Sequence, residues 1–143
     1  MKSQEVAVYK GIQRNTEMAM KAIDTIADKV YDDQLAMQIS RQSLKYSEIH
    51  NTASKQLVAA KAEPYRASYM EDLMLKTGIH YNTLLNTSTS HIAELMIKGS
   101  NMGIVDMERL LNHNENIGEK PMDLAKQLIE LEERNINRLK QYL

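Results

Sequence analysis

Apolar side chains recur at alternating intervals of three and four along most of this chain, and little interrupts them. Ile12, Ala19 and Ile26 form one row near the start, and Thr16, Ile23 and Val30 form its partner. Leu35, Ile39, Gln42, Tyr46, Ile49, Ala53 and Ala60 continue the rhythm. That spacing puts side chains on one face of an α-helix and gives a seam for a neighbouring helix. Proline occurs only at positions 64 and 121, where each suits the first turn of a new helix. The residue choice agrees: Phe and Trp are absent, while Ala, Leu, Met, Glu, Lys and Gln, all good helix formers, dominate.

The pattern predicts helices over about 3–29 and 33–61, with Asp32 or Asp33 as N-cap of the second. A third begins near Pro64, with Tyr69, Leu73, Met74, Thr77, Tyr81 and Leu84 as its apolar face. Residues 86–90 (NTSTS) are the clearest polar interruption, and Ser88 or Ser90 caps a fourth helix over about 89–113 unless the third and fourth form one kinked element. After a turn at 112–120, a last helix opens at Pro121, with Leu124, Leu128, Leu131 and Leu139 on its face. Long helices and short connections predict one all-α domain over residues 1–143, an antiparallel four-helix bundle with one broken or extra helix.

The 18 basic and 19 acidic residues leave a formal charge of −1, without the basic stripe of a nucleic-acid binder. Cysteine is absent, which excludes disulfides, thiolate metal sites and thiol catalysis and fits a reducing compartment. No segment reads as a signal peptide or a membrane span, so the expectation is a soluble cytoplasmic protein.

Helix bundles often host carboxylate-bridged di-iron, whose usual pattern places Glu-x-x-His on two helices. That pattern is missing; His91 and Glu94 have its spacing in reverse order, and Glu48 and His50 fall on different faces. Thioethers suit copper. Met96 and Met107 share an angular position on the fourth helix, and Met102 lies with His91 on another side. Unbranched methionines also fill irregular core space. Tyr46 and His50 form a pair one turn apart. No nucleophile elbow, Walker A or dinucleotide fingerprint is present. Gly99 and Gly103, one turn apart inside a helix, each cost about 1 kcal/mol relative to alanine and therefore mark a close approach or a functional constraint.

The C-terminal third resembles a family of small ferritin-like helical proteins known chiefly as a domain of unknown function. The resemblance rests on Met96-Ile97, on Gly103-Ile104-Val105-Asp106-Met107, and on residues 124–143, where Leu124-Ala125, Ile136, Leu139 and Leu143 follow the family pattern. Tyr142 stands where that family has Trp. The family's His-His pair is replaced by Gly99-Ser100 or Ser100-Asn101, and its Gln and Glu in the last helix by Glu132 and Asn135. The resemblance implies a ferritin-like scaffold. Some members of the family are associated with metal, notably copper, through histidines this chain lacks. A thinner resemblance is to ferritin-like spore-coat proteins.

Three expectations follow. The first is a non-enzymatic structural or interaction module, without a cofactor, that self-associates into a homo-oligomer or meets an unidentified protein partner. The second is a copper- or iron-binding protein using His91, Glu94, Met96, Met102, Asp106 and Met107. The third is a ferritin-like oxidase, for which Glu17, Glu48, Glu94 and Glu132 are the reasonable carboxylates.

Overall fold

A computed structural model describes residues 1–84 and 86–143. Among these residues the chain is all-helical, with five α-helices and no strand: α1 (Ser3–Ile26), α2 (Asp33–Ala59), α3 (Tyr69–Thr83), α4 (Thr89–His113) and α5 (Glu119–Leu139). Short 3₁₀ turns at Ala27–Lys29 and Lys140–Tyr142 extend α1 and α5.

The apolar seams lie where their spacing puts them. Ile12, Ile23 and Ile26 of α1, Leu35, Ile39 and Leu57 of α2, and Leu124, Leu128 and Leu139 of α5 are all buried in one core. Polar contacts fix the helix directions. Glu17 meets His50 at 3.0 Å and Gln13 meets Ser54 at 2.9 Å, so α2 runs antiparallel to α1. Arg14 faces Asp106 at 3.9 Å and Gln4 accepts from the backbone N–H of Asn116 at 2.9 Å, so α4 also runs antiparallel to α1. Glu5 accepts from the backbone N–H of Gly118 at 2.9 Å, which sets the start of α5 beside the start of α1. α2 and α4 therefore point the same way, and α3, between them in sequence, packs against α1.

The helix ends have local causes. Asp32 caps α2 by accepting from Leu35 N–H at 2.8 Å, and Ser88 caps α4 by accepting from His91 N–H at 3.3 Å. At the end of α2 the chain reverses at Lys61, with φ 54°, while the N–H of Ala62 bonds Leu57 O at 3.0 Å and that of Lys61 bonds Val58 O at 3.0 Å. These are the two bonds of a Schellman cap.

Three expectations need correction. The third helix does not begin at Pro64: residues 62–68 are irregular, because Gln13 takes the Tyr65 N–H at 2.8 Å and Ser68 caps the helix through Glu71 N–H at 3.0 Å. The last helix begins at Glu119 with Gly118 as cap, and Pro121 falls inside its first turn. The apolar face assigned to α3 points outward, with Tyr69, Leu73, Met74, Tyr81 and Leu84 exposed. Leu75, Ile79 and Thr83 turn inward instead. This helix is apolar on several sides, so its ion pairs orient it. Lys21 of α1 holds Asp72 at 2.7 Å, and Arg14 faces Glu71 at 3.7 Å.

Candidate functional site

Halfway along the four long helices, seam positions that periodicity reserves for apolar side chains carry polar ones. On α2, Gln38, Gln42 and Tyr46 follow one another at four-residue steps, all buried. On α5, Glu132 and Asn135 continue the row of Leu124 and Leu128 and are likewise buried. On α4 the corresponding positions hold Ser100 and Gly103. On α1, Asn15 donates to the Gly103 carbonyl at 3.1 Å.

Four of these groups, Tyr46, Ser100, Glu132 and Asn135, form a linked network. The Tyr46 hydroxyl donates to Glu132 Oε1 and accepts from Asn135 Nδ2 at 3.1 Å. The Ser100 hydroxyl adjoins both Tyr46 and Glu132. Glu132 is only 2 % exposed. Burial pushes its carboxyl up to about 7, against the opposing pull of the Tyr46 and Ser100 hydroxyls. Burial, then the charge on Glu132, raises Tyr46 far above the ordinary phenol range. Among the described residues both amide atoms of Gln42, and Nε2 of Gln38, have no hydrogen-bond partner.

Above the network lies a cavity of about 340 Å³ between α1, α3 and α4, within the lower range of small-molecule sites. Its walls are mostly apolar, including Met18, Ala22, Ile79, Leu95 and Met96, while Glu132, Tyr46 and Ser100 reach it from beneath. The two glycines of α4 behave differently here. A Cβ on Gly103 would stand 2.5 Å from Glu132 Oε2, whereas one on Gly99 would meet nothing within 4 Å. Gly103 is the close approach that the sequence suggests, and its neighbour is a carboxylate from α5. Gly99 is an open part of the cavity wall.

The six candidate metal ligands are spread along α4. The span from residue 91 to 107 is about 24 Å of helix axis. His91 donates through Nε2 to the Asn82 carbonyl at 2.7 Å and lies 3.7 Å from Glu94. Glu94 is exposed and held by Lys98 at 2.8 Å, which keeps its carboxyl below the usual range. Met96 lines the cavity, and Met102 is exposed at its edge. Asp106 lies between Arg14 and Arg109, and Met107 is buried in the core. Of the four oxidase carboxylates, Glu17 pairs with His50, Glu48 with Lys45 and Glu94 with Lys98, and Glu132 alone is buried. Among the described residues no three His, Cys, Asp or Glu side chains gather to hold a metal ion. Tyr46 and His50 are not bonded to each other: Tyr46 faces Glu132, and His50 faces Glu17.

No protein-family model matches the chain, and no curated protein or solved structure shows significant similarity to it. Among the described residues no helix is long and apolar enough to cross a membrane.

Proposed function

We propose that this chain is a binding module and not an enzyme: a ferritin-like four-helix bundle that takes a small, largely apolar molecule into the cavity between α1, α3 and α4. The cavity with the buried Glu132 beneath it carries this reading. A concave apolar site with a few convergent polar groups is the usual form of a ligand pocket. The polar side chains around Glu132 are bonded to one another, which suits a fixed recognition surface. The ferritin-like part rests on topology: two antiparallel pairs, α1 with α2 and α4 with α5, joined by a single long crossover. The cysteine-free composition supports a reducing, cytoplasmic setting.

The test is titration with 1-hexanol while backbone amide shifts are followed by NMR. Saturable shifts clustered at Ala22, Gly78 and Gly99, and absent from an Ala22→Trp variant that fills the space, are expected. Weak, unsaturable shifts scattered over the surface would overturn the reading.

Self-association is a second reading, favoured by the outer face of α3. Tyr69, Met70, Tyr81 and Leu84 are each at least 62 % exposed on that helix and its C-cap. A contiguous apolar surface of that kind favours a protein contact. Light scattering across a concentration series should show a dimer or larger species, and Leu73→Glu with Tyr81→Glu should reduce it to a monomer. A wild-type monomer at every concentration would remove this reading and leave the cavity reading intact.

A further inference from the structure

Resting on the ligand-binding reading above, we propose that the ligand carries a cationic amine at the end of a short apolar chain, with its nitrogen seated on Glu132 Oε2 beside Gly103.

The Glu132 carboxylate meets the Tyr46 and Ser100 hydroxyls, and its two oxygens differ in their surroundings. Oε1 of Glu132 accepts from Tyr46. Oε2 points toward the bare Cα of Gly103, where any larger residue would close the approach. An acid that is 2 % exposed, in a cavity with apolar walls, is an unusual choice unless something of opposite character meets it.

Among the described residues no cation does so. Arg14 of α1 is the one cation lining the cavity among the described residues, and it faces Asp106 and Glu71. From α2 the facing group is the Tyr46 hydroxyl, and from α4 they are the Ser100 hydroxyl and, at the edge, Asp106. The α3 residues on the cavity, Met74, Leu75, Gly78, Ile79 and Asn82, are uncharged. With Arg14 balanced by Asp106, the deep ionisable group left over is the Glu132 carboxyl.

An anionic headgroup would be driven against a carboxylate in a poorly solvated space. A neutral alcohol would find an acceptor but no charge. An alkylammonium ion gains a charge-assisted hydrogen bond and brings an apolar tail for the methionine, leucine and isoleucine walls. Because the empty site holds its acid near 7, the amine binds by displacing a proton at lower pH, and its affinity rises with pH.

The experiment is calorimetry of the full chain with hexylamine and 1-hexanol at pH 6 and pH 8. Hexylamine stays protonated throughout this range. Expected are a preference of about tenfold or more for hexylamine over hexanol at pH 8, from the charged hydrogen bond, and a gain of about tenfold in hexylamine affinity from pH 6 to pH 8 that hexanol lacks. The preference should vanish in Glu132→Gln. Proton release at pH 6 on binding hexylamine, read from two buffers of different ionisation heat, gives the same answer in the wild-type protein without a variant. Equal affinities for the two probes overturn the amine assignment and leave the apolar cavity standing. A hexylamine preference that persists in Glu132→Gln overturns the seat on Glu132. Binding of neither probe overturns the ligand-binding reading together with this one.

Discussion

Glu132 Oε2 lies 2.5 Å from the point where a Cβ on Gly103 would stand. That spacing joins the last helix to the glycine-bearing middle of α4 and explains why one of the two glycines there is needed. Alanine at 103 forces the carboxylate off its hydrogen bond with Tyr46 or pushes α4 outward. Overpacking of this kind costs about 1–3 kcal/mol, enough to exceed the gain of about 1 kcal/mol from better helix propensity. Gly99 has no neighbour within 4 Å of its own Cβ position, so alanine there keeps the propensity gain. Urea denaturation should find Gly103→Ala destabilised and Gly99→Ala unchanged or more stable by up to about 1 kcal/mol.

The Tyr46 hydroxyl serves two partners, donating to Glu132 and accepting from Asn135. Removing it in Tyr46→Phe leaves both without their bond in a buried place. The expected loss is about 2–3 kcal/mol. It should be larger at pH 8 than at pH 5, because the bond to Glu132 is strongest when that carboxyl is ionised. Chemical denaturation at the two pH values checks both size and order.

Gln42 is 2 % exposed, and neither amide atom has a partner. Methionine has a similar length and no amide to desolvate. Gln42→Met is therefore expected to stabilise the fold by about 1–2 kcal/mol. A lower denaturation midpoint for this variant would mean that the amide is satisfied in solution.

Lys61 adopts a φ of 54° in the cap that ends α2. A side chain there costs about 1–2 kcal/mol that glycine avoids. Lys61→Gly should raise the thermal midpoint by roughly 3 °C in a domain of this size, and a scanning calorimeter reads it directly.

The helical class was legible because the three-and-four spacing of Ile12, Thr16, Ala19, Ile23 and Ile26, and of Leu124, Leu128 and Leu131, has one simple solution. The N-caps were legible to within one of two candidates, and the structure selects Asp32 and Ser88. The orientation of α3 was not. Its apolar residues surround the helix, and the contacts that turn it, Lys21 with Asp72 and Gln13 with the Tyr65 N–H, join positions 51 and 52 residues apart. The polar layer left a signal that spacing alone exposes: Gln42, Tyr46, Ser100, Glu132 and Asn135 each occupy a seam position. What the spacing omits is axial level, so nothing in the chain said that Tyr46, Ser100, Glu132 and Asn135 meet. Charged residues on α4 drew attention to His91 and Glu94, which are close in sequence and partly or largely exposed.

Glu132 is the acid held out of water beneath the cavity, and the binding site is built on it. A carboxyl whose folded pKa is raised keeps its proton after the unfolded chain has released it. The stability that Glu132 itself contributes is then complete below about 4.5, falls as pH rises, and levels off above about 7. Loss across that window is on the order of 3 kcal/mol, and Glu132→Gln should be free of it. The most direct measurement follows the side-chain carboxyl carbon of Glu132 by NMR from pH 3 to pH 9. A midpoint near 7 is the predicted result. A midpoint near 4.5, as for a solvated glutamate, would contradict the buried acid and the binding site built on it.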